Sequence, residues 1–419
     1  MRSLQPPFKV AKGRVINRMS ETALAGVKIL EYAQLAAGPY CTKLLADLGA
    51  EVIKIEPPQV GDEARRREPF LEDVPHPERS GFFFYLNTNK LGITLNLDTT
   101  TGRKIFQKLV KESDILVEDN PPQAMKELGL DHESLAGINP HLIMTSITPF
   151  GQYGPYRDYK SYHLNDYHGS GIAQILASIL PQDTPMPTKG PGFLGDYDCG
   201  LNAATATMAA LYNRLFTGRG QHVDISKQES LMATERIEID MFGNNERGST
   251  VWLQYMVGGL QRCKDGYVMI TLGGLHHWDG LIKLLGNPDW AQDEKYEEEI
   301  NTYIHAQEIN KHIAEWMINR TKEEVYHRAQ ALNCPIGMVT TVEDLVTSEQ
   351  LQVREFFAEV EHPQMGKFKC PTASYRFSRT PLRFERPAPL LGEHNEEILG
   401  KRLGYTPEEL ARMRGAGII

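Results

Sequence analysis

The sequence predicts an α/β fold organised around a doubly wound parallel sheet. Short apolar runs of strand length alternate with segments of helical spacing through the N-terminal part of the chain. VKILEY (27–32), CTKLLADLG (41–49) and EVIKIE (51–56) follow one another as strand, helix and strand, the βαβ unit of parallel sheets. Ligands of such sheets bind outside the C-terminal ends of the strands. We therefore expect functional residues in the loops that follow strands.

The same alternation continues beyond the first unit. Residues 148–196 interrupt it with a stretch rich in Gly, Pro, Tyr and His, and long irregular stretches of this kind are often functional. The further elements predicted before residue 230 are a helix at 100–113, strands at 114–119 and 141–147, a helix at 198–216 and a strand at 222–226.

Changes in this pattern predict the domain organisation. Residues 1–228 are expected to form a large α/β domain that begins with an extended arm at 1–25. Residues 229–345 are expected to form a smaller domain, with a strand at 267–271 and helices around 276–286, 294–316 and 321–332. Residues 346–419 are expected to return to the large domain and complete it.

Composition narrows the classes of partner. The 419 residues are 41% hydrophobic and 24% charged, which is typical of a globular protein. The formal net charge of −9 argues against general binding of nucleic acid or of anionic membranes, because both depend on positive fields. No apolar run approaches the roughly 18 residues of a membrane helix, and the basic N-terminus lacks the apolar core of a signal peptide.

The five cysteines are scattered and include no CxxC pair, which disfavours a disulfide framework or a structural zinc site and fits a reducing compartment. The histidine pairs of the chain also lack metal-ligand spacing. We therefore expect a cytoplasmic protein with no metal. The absence of GxGxxG, GxxxxGK[ST] and GxSxG disfavours a nicotinamide or flavin site, a P-loop NTPase and an α/β hydrolase.

Asp196 is the residue most suggestive of chemistry. It follows Gly195 just before the predicted helix at 198–216, where free backbone N–H groups and the helix dipole favour a carboxylate. An N-terminal cap is one interpretation, and Asp198 competes for that role. Covalent catalysis or proton transfer is the other, because a glycine neighbour allows a ligand to approach the carboxylate closely.

Four ordered blocks give the chain a family resemblance. They are GVKILEYAQLAAGPYCTKLLADLGAEVIKIEPPQVGDEAR (26–65), LNTNKLGITLNLDTTTGRKIFQKLVKESDILVEDNPP (86–122), GDYDCG (195–200) with TGRGQHVDIS (217–226), and APLLGEHNEEIL (388–399). With these blocks the chain resembles the class III CoA-transferases, of the carnitine, bile-acid and formyl-CoA transferase type. The resemblance covers nearly the whole length.

The resemblance implies a fold and an activity. The fold would be a Rossmann-like large domain built from both chain ends, including 1–228 as its CoA-binding part, plus a smaller α+β domain. Two chains would interlock as a homodimer. The enzyme would move CoA from an acyl-CoA donor to a small carboxylic acid through mixed anhydrides and an aspartyl-CoA thioester, with Asp196 as the nucleophile. Coenzyme A and acyl-CoA would be substrates, with no permanently bound cofactor, and the missing P-loop agrees with a reaction that needs no ATP.

The resemblance also suggests binding residues. Gln34, Leu35, Ala36 and Ala37 match the loop that lines the thiol end of CoA, although a tight strand-to-helix turn is an equal alternative. Further candidates are Glu118, Asp119 and Asn120 for the adenine and ribose, Lys54 and Arg65 (in the run Arg65–Arg67) for the phosphates, and Gly258 and Gly259 for a mobile active-site loop. Solvated surface charge and a plain turn are the alternatives for the last two groups.

Two other functions remain open. The α-methylacyl-CoA racemases share this architecture and use an Asp and a His to move an α-proton. In KSYHLNDYHGSG (160–171) an ungapped alignment places Tyr162 at the racemase histidine, where transferases commonly have Tyr, and a shift of one residue places His163 there. His163 would then serve in acid/base catalysis with Asp196, or would orient an acceptor in a transferase. The third hypothesis is a non-catalytic acyl-CoA-binding protein in which Asp196 is only a helix cap.

Overall fold

The computed structural model describes residues 22–178, 186–234, 243, 257–296, 298–382 and 384–419. Residues 1–21 of the predicted arm therefore lie outside the described residues. The chain forms two compact units. The first, called the sheet unit, draws on Met1–Lys160, Asp196–Lys227 and Ala358–Ile419, and the second unit on Ser161–Gly195 and Gln228–Phe357.

These bounds differ from the predicted ones at two places. Residues 161–195 belong to the second unit, where Tyr167 and Ile172 pack in one apolar cluster with Leu231. The chain returns to the sheet unit at Ala358, later than the predicted residue 346.

The strands are β1 Lys28–Tyr32, β2 Glu51–Glu56, β3 Lys90–Thr94, β4 Ile115–Glu118, β5 Ile143–Thr148, β6 His222–Ser226, β7 Gly258–Cys263, β8 Gly266–Thr271, β9 Ile336–Met338, β10 Phe357–His362 and β11 Gly366–Pro371. The α-helices are α1 Ala37–Asp47, α2 Gly81–Asn87, α3 Thr100–Lys111, α4 Pro122–Glu127, α5 His132–Ala136, α6 His163–Gly169, α7 Ile172–Ser178, α8 Leu194–Thr217, α9 Lys227–Met232, α10 Leu275–Leu285, α11 Glu299–Ile304, α12 Ala306–Met317, α13 Lys322–Ala331, α14 Val342–Thr347, α15 Glu349–Val353 and α16 Pro407–Gly415. Short 3₁₀ helices cover Glu63–Arg66, Leu71–Asp73, Asp289–Gln292 and Glu294–Tyr296, and a π-helix covers Glu396–Arg402.

The sheet unit contains a six-stranded sheet in the order β3-β2-β1-β4-β5-β6, with every neighbouring pair parallel. This confirms the predicted parallel α/β sheet. The order reverses between β1 and β4, which is the topological switch point where such sheets bind ligands. The register aligns Tyr32 with Glu118 and Glu118 with Ser146, so the C-terminal ends of β1, β4 and β5 lie side by side.

Apolar side chains cover both faces of the sheet. On one face, Ile105 and Phe106 of α3 pack with residues of the returning C-terminal segment, such as Leu399 and Leu410. On the other face, α1 and α8 pack against the sheet through small and medium side chains, including Cys41, Cys199 and Ala203. Most residues of β1 to β5 are therefore buried, which explains why apolar residues dominate these strands, whereas the edge strand β6 is mostly half-buried.

The C-terminal segment joins the edge of the sheet by accepting hydrogen bonds from its backbone N–H groups, through both side-chain and backbone acceptors. The N–H of Gly92 donates to His394 Nδ1 at 3.1 Å, and the N–H of Thr94 donates to Asn395 Oδ1 at 2.9 Å. The N–H of Asn96 donates to the Ile418 carbonyl at 2.8 Å. N–H donors of the edge strand β3, and of Asn96 just after it, are thus satisfied by residues more than 300 positions away in the chain.

The second unit contains a three-stranded antiparallel sheet in the order β7-β8-β9. The strand predicted at 267–271 is confirmed as β8, whose alternate residues Val268 and Ile270 are fully buried. The single helix predicted at 294–316 is wrong: this stretch is divided into Glu294–Tyr296, α11 and α12, because His305 between the last two leaves helical geometry.

All five cysteines lie within the described ranges, where they are buried and form no disulfide. Within the ranges that the structure describes, no helix combines the length and apolar character needed to cross a membrane.

Candidate active site

The switch point brings two predicted segments together. Gln34 lies in the loop after β1, and Asp119 follows the last residue of β4. The backbone N–H of Gln34 donates to both carboxylate oxygens of Asp119, at 3.1 and 3.0 Å. The loop of Gln34–Ala37 and the segment of Glu118–Asn120 therefore form one edge of the site, as expected for loops at the ends of adjacent parallel strands.

The loop is held in a strained shape by charged groups beneath it. Leu35 has a φ of 60°, a left-handed conformation that costs a non-glycine residue about 1–3 kcal/mol. Its N–H donates to Asp62 Oδ1 at 2.9 Å, and Lys54 Nζ donates to the Ala33 carbonyl at 3.0 Å. Helix α1 then begins at Ala37 with no side-chain cap and no acidic residue in its first turn. The positive end of the α1 dipole therefore faces no acidic residue of its own first turn and can act on a ligand that binds in front of the helix.

The structure assigns Lys54 a different environment from the one predicted. Its ammonium is fully buried and lies 2.7 Å from carboxylates of both Glu31 and Asp62. Glu31 also pairs with the buried Lys90 at 2.7 Å. These contacts argue against a phosphate contact by Lys54, because its charge is already neutralised inside the sheet unit.

Arg65 is likewise buried. Its guanidinium pairs with Glu56 at 2.7 Å and with Glu78 at 2.6 Å, and it donates to the Pro389 carbonyl at 3.0 Å. A residue predicted to bind phosphate therefore ties together segments of the sheet unit that are far apart in sequence. Of the predicted run, Arg66 and Arg67 are the exposed members.

Asp196 lies in the first turn of α8 and is 6% exposed. Its Oδ1 accepts a hydrogen bond from Lys227 Nζ at 2.8 Å. Its Oδ2 is buried and has no hydrogen-bond partner within the described ranges. A capping carboxylate would instead accept from the N–H groups of its own first turn. The contacts of Asp196 thus fit a carboxylate with one anchored and one uncommitted oxygen.

Lys227 is the first residue after β6, and its side chain is 20% exposed. Burial lowers the pKa of this ammonium, but the Asp196 carboxylate outweighs the effect of burial and the pKa is raised overall. Lys227 is therefore a permanent cation beside Asp196 across the physiological pH range.

Close packing of two helices positions Asp196. A Cβ atom on Gly200 would lie 2.6 Å from the Ala37 carbonyl oxygen and 3.2 Å from Tyr40 Cβ, so only glycine allows this approach of α8 to α1. The rings of Tyr40 and Tyr197 meet edge to face, with centroids 4.9 Å apart. Because Asp196 precedes Gly200 by about one helical turn, its carboxylate lies on the face of α8 that turns towards the start of α1.

The two carboxyls at the end of β4 are held partly uncharged. Burial raises the pKa of Asp119 to about 8, against the lowering effects of Lys227 and of the Gln34 N–H. Burial also raises the pKa of Glu118 to about 7, although Ser146 and Asn120 hydrogen-bond to it. Near neutral pH this end of the sheet therefore carries less negative charge than its sequence suggests, which favours an anionic ligand.

Four predicted residues lie in the second unit. Tyr162 is exposed, and His163 opens α6 with its ring against Phe193, at a centroid distance of 4.5 Å. Gly258 and Gly259, with φ of 98° and 64°, open β7 and pair with Thr271 and Ile270. The two glycines thus belong to a strand rather than to a free loop. The roles of all four in the site stay predictions.

Sequence reasoning missed Lys227. It also did not anticipate the buried acidic partners Glu31 and Asp62. The available signal for Lys227 was its place directly after a predicted strand, at the same edge of a parallel sheet as Asp119. For Glu31 the signal was a charged residue inside an apolar run, which requires an opposite charge nearby.

Comparisons with known proteins agree with this architecture. A family model described as CoA-transferase family III matches residues 24–395. The formyl-CoA:oxalate CoA-transferase of Rhodopseudomonas palustris (strain BisA53) is 31% identical, over 95% of this chain and 97% of that protein. The protein of the same name from Escherichia coli O157:H7 (strain EC4115 / EHEC) is 31% identical, over 94% and 98%. A crystal structure of a CAIB/BAIF family protein from Brucella suis is 26% identical and superposes with a TM-score of 0.79, covering 91% of this chain and 100% of that one.

Proposed function

This chain is a transferase that belongs to CoA-transferase family III, and we propose that it moves CoA from an acyl-CoA donor to a carboxylic acid acceptor with Asp196 as the nucleophile. The observation that supports this role is the asymmetric environment of the Asp196 carboxylate. Lys227 holds Oδ1, while Oδ2 is buried and uncommitted. A carboxylate that is fixed by one oxygen and free at the other is suited to attack on a thioester carbonyl.

The proposed reaction begins with attack of Asp196 Oδ2 on the donor thioester carbonyl. The C–S bond breaks, CoA leaves as a thiolate, and a mixed anhydride joins the acyl group to Asp196. The thiolate then attacks the Asp196 carbonyl carbon, and the donor acid leaves as a carboxylate. The aspartyl-CoA thioester that results passes CoA to an acceptor carboxylate by the same two steps in reverse order. No proton is consumed and the energy of the thioester is retained.

Burial of the nucleophile serves this chemistry. Asp196 is 6% exposed, so few water molecules reach the carbonyl carbon once it is activated. Anhydrides and activated thioesters hydrolyse in water, and exclusion of water is therefore part of catalysis here. The loop of Gln34–Ala37 is proposed to line the thiol end of CoA, and the segment of Glu118–Asn120 to contact its adenosine end.

The ion pair also bears on the competing hypotheses. A racemase in which Asp196 and His163 exchange an α-proton needs a carboxyl that carries a proton in part of its cycle. An ammonium 2.8 Å from Oδ1 keeps the free Asp196 carboxyl ionised, which suits a nucleophile and opposes uptake of a proton. A non-catalytic protein with a capping Asp196 is not favoured by contacts that run to Lys227.

The test is to trap the covalent intermediate. The protein is incubated with acyl-CoA donors, including formyl-, acetyl- and succinyl-CoA, without an acceptor, and is quenched in acid. We expect a CoA adduct on the peptide that contains Asp196, by intact mass and peptide mapping. Asp196→Asn should lose the adduct and at least about 10³-fold of transferase activity, as removal of a nucleophile does. Asp198→Asn is the matched control and should keep both.

A different result would change the assignment. An adduct on another residue would exclude Asp196 as the nucleophile. Deuterium incorporation at the α-carbon of a 2-methylacyl-CoA, without any adduct, would favour the racemase. We further propose a homodimer, as the family resemblance implies, and a single-chain mass in gel filtration would contradict it.

A further inference from the structure

We propose that Lys227 binds the carboxylate of the acceptor acid while Asp196 is covalently bound to CoA. Lys227 pairs with Asp196 itself only while Asp196 is a free carboxylate. This inference rests on the proposed role of Asp196 as nucleophile. It assigns Lys227 an acceptor-binding role in addition to anchoring the nucleophile. The ligand class is a small carboxylate anion.

The geometry supplies the first argument. Lys227 Nζ lies 2.8 Å from Asp196 Oδ1, so it stands beside the carbon that becomes the electrophile in the aspartyl-CoA thioester. A carboxylate bound to the same ammonium is therefore within reach of that carbon. The Lys227 side chain is 20% exposed whereas Asp196 is 6% exposed, so Lys227 is the member of the pair that is more accessible to a ligand from solvent.

Charge balance supplies the second argument. Burial lowers the pKa of the Lys227 ammonium, and formation of the thioester removes the negative charge of Asp196, which is the main influence that raises that pKa. Asp119 also raises the pKa of Lys227, but burial raises the pKa of Asp119 itself to about 8, so Asp119 is largely neutral near pH 7. A largely buried ammonium without a counter-ion is costly. An acceptor carboxylate bound to Lys227 restores the ion pair. The aspartyl-CoA intermediate therefore favours binding of the anion with which it reacts.

The steps balance with Lys227 protonated while it pairs with the acceptor carboxylate. An oxygen of the bound acceptor carboxylate attacks the Asp196 carbonyl carbon, the C–S bond breaks, and CoA leaves as thiolate. The thiolate attacks the acceptor carbonyl of the new anhydride, and the bond between that carbonyl carbon and the Asp196 oxygen breaks. Asp196 leaves as a carboxylate and pairs with Lys227 again.

A purely positioning role for Lys227 predicts something else. If Lys227 only orients Asp196, its loss weakens every reaction of Asp196 in the same proportion, whatever the charge of the attacking group. If Lys227 binds the acceptor anion, its loss weakens reaction with carboxylates far more than reaction with a neutral nucleophile. Discharge of the isolated adduct separates the two roles.

The experiment compares the wild type with Lys227→Gln, Lys227→Arg and the exposed-lysine control Lys104→Gln. Each CoA adduct is formed with an acyl-CoA donor, freed of small molecules by rapid gel filtration, and mixed with oxalate, formate or neutral hydroxylamine. We expect Lys227→Gln to lose about 10–100-fold in discharge by subsaturating oxalate or formate, as for a lost charged hydrogen bond. Discharge by hydroxylamine should change less than about threefold. Lys227→Arg should recover most of the loss, and Lys104→Gln should match the wild type.

Each other outcome has a defined meaning. A wild-type protein that forms no adduct contradicts the proposed function, independently of Lys227. Equal loss towards carboxylates and hydroxylamine in Lys227→Gln overturns the acceptor-binding role. So does a Lys227→Gln protein that melts at the wild-type temperature but never accumulates adduct, because Lys227 would then act before the acceptor arrives.

Discussion

In the sheet unit, the role of each charged residue depends on the groups that its side chain contacts rather than on its position in the sequence. Lys54 and Lys90 belong to strands that also bury apolar side chains, and both are fully buried. The Glu31 carboxylate forms an ion pair with each of them at 2.7 Å. Lys54 in turn holds the carbonyl of Ala33 at the start of the active-site loop. Lys54, which the sequence suggested as a phosphate ligand, therefore supports the active-site loop instead.

Substitution of Glu31 tests this role. Glu31→Gln leaves two buried ammonium groups with one counter-ion fewer, and we expect the free energy of unfolding to fall by about 3–5 kcal/mol at pH 7. Urea unfolding followed by circular dichroism measures the change. The exposed Glu385→Gln should stay within about 0.5 kcal/mol of the wild type. A similar small change for Glu31→Gln would contradict a stabilising role for the cluster.

The pH dependence of the same variant has a definite sign. Burial alone would raise the pKa of Glu31, but Lys54 and Lys90 outweigh it and lower that pKa from 4.5 to about 2. Because the folded pKa lies below the unfolded one, the stability from Glu31 is present above pH 4.5 and is lost as pH falls towards 2. The difference between wild type and Glu31→Gln should therefore shrink over that window.

At the scale of elements, the close approach of α8 to α1 places the nucleophile. The small residues of α8 permit it, since Cys199 and Ala203 are buried against the sheet and Gly200 meets the Ala37 carbonyl. The loop before α1 is fixed separately, by Asp119 and Asp62. The geometry around Asp196 therefore depends on two independent sets of contacts, one that sets the helix and one that sets the loop.

Gly200→Ala tests the helix contact. A Cβ there would lie 2.6 Å from a backbone oxygen, so α8 or α1 must shift. We expect a loss of about 1–3 kcal/mol in the free energy of unfolding, as for overpacked cores, and a fall in the yield of the CoA adduct. Gly415→Ala in α16, where a Cβ meets nothing within 4 Å, is the matched control and should be neutral or slightly stabilising. Equal behaviour of both variants would refute the close-packing explanation.

At the scale of the molecule, the sheet unit is discontinuous in sequence. Its edge strand β3 is bonded by residues of the C-terminal segment, which also supplies core side chains such as Leu399, Leu410 and Met413. The strands that carry the site come from the N-terminal part of the chain. The sheet unit therefore needs the C-terminal segment to complete its fold.

Truncation after Pro387 should therefore prevent cooperative folding of the sheet unit. It removes the partners of Gly92 and Thr94 together with the apolar side chains that cover one face of the sheet. We expect a product without a cooperative urea transition and without adduct formation. Asn395→Ala, which removes two hydrogen bonds to Thr94, should lose about 1–3 kcal/mol, and the exposed neighbour variant Glu396→Ala should lose almost nothing. A truncated chain that unfolds cooperatively would contradict this account.

Much of the architecture could be predicted because strands and amphipathic helices each give a characteristic spacing of apolar residues within a short stretch of sequence. The runs at 27–32 and 51–56 predicted β1 and β2, and the alternation that follows predicted the parallel sheet that the structure contains. The second unit was harder, since the break between α11 and α12 at His305 follows no Gly or Pro signal.

The sequence by itself determined the α/β class and, through its ordered blocks, the family and Asp196 as the residue to test. Only the tertiary structure decided which charges meet. It put Lys227 on Asp196, and it buried Lys54 and Arg65 among carboxylates. Hydrophobic periodicity is a local property that a short window of sequence records, whereas ion pairs depend on distances between segments that are far apart along the chain. For that reason the fold class could be predicted from the sequence, whereas the pairing of Lys227 with Asp196 could not.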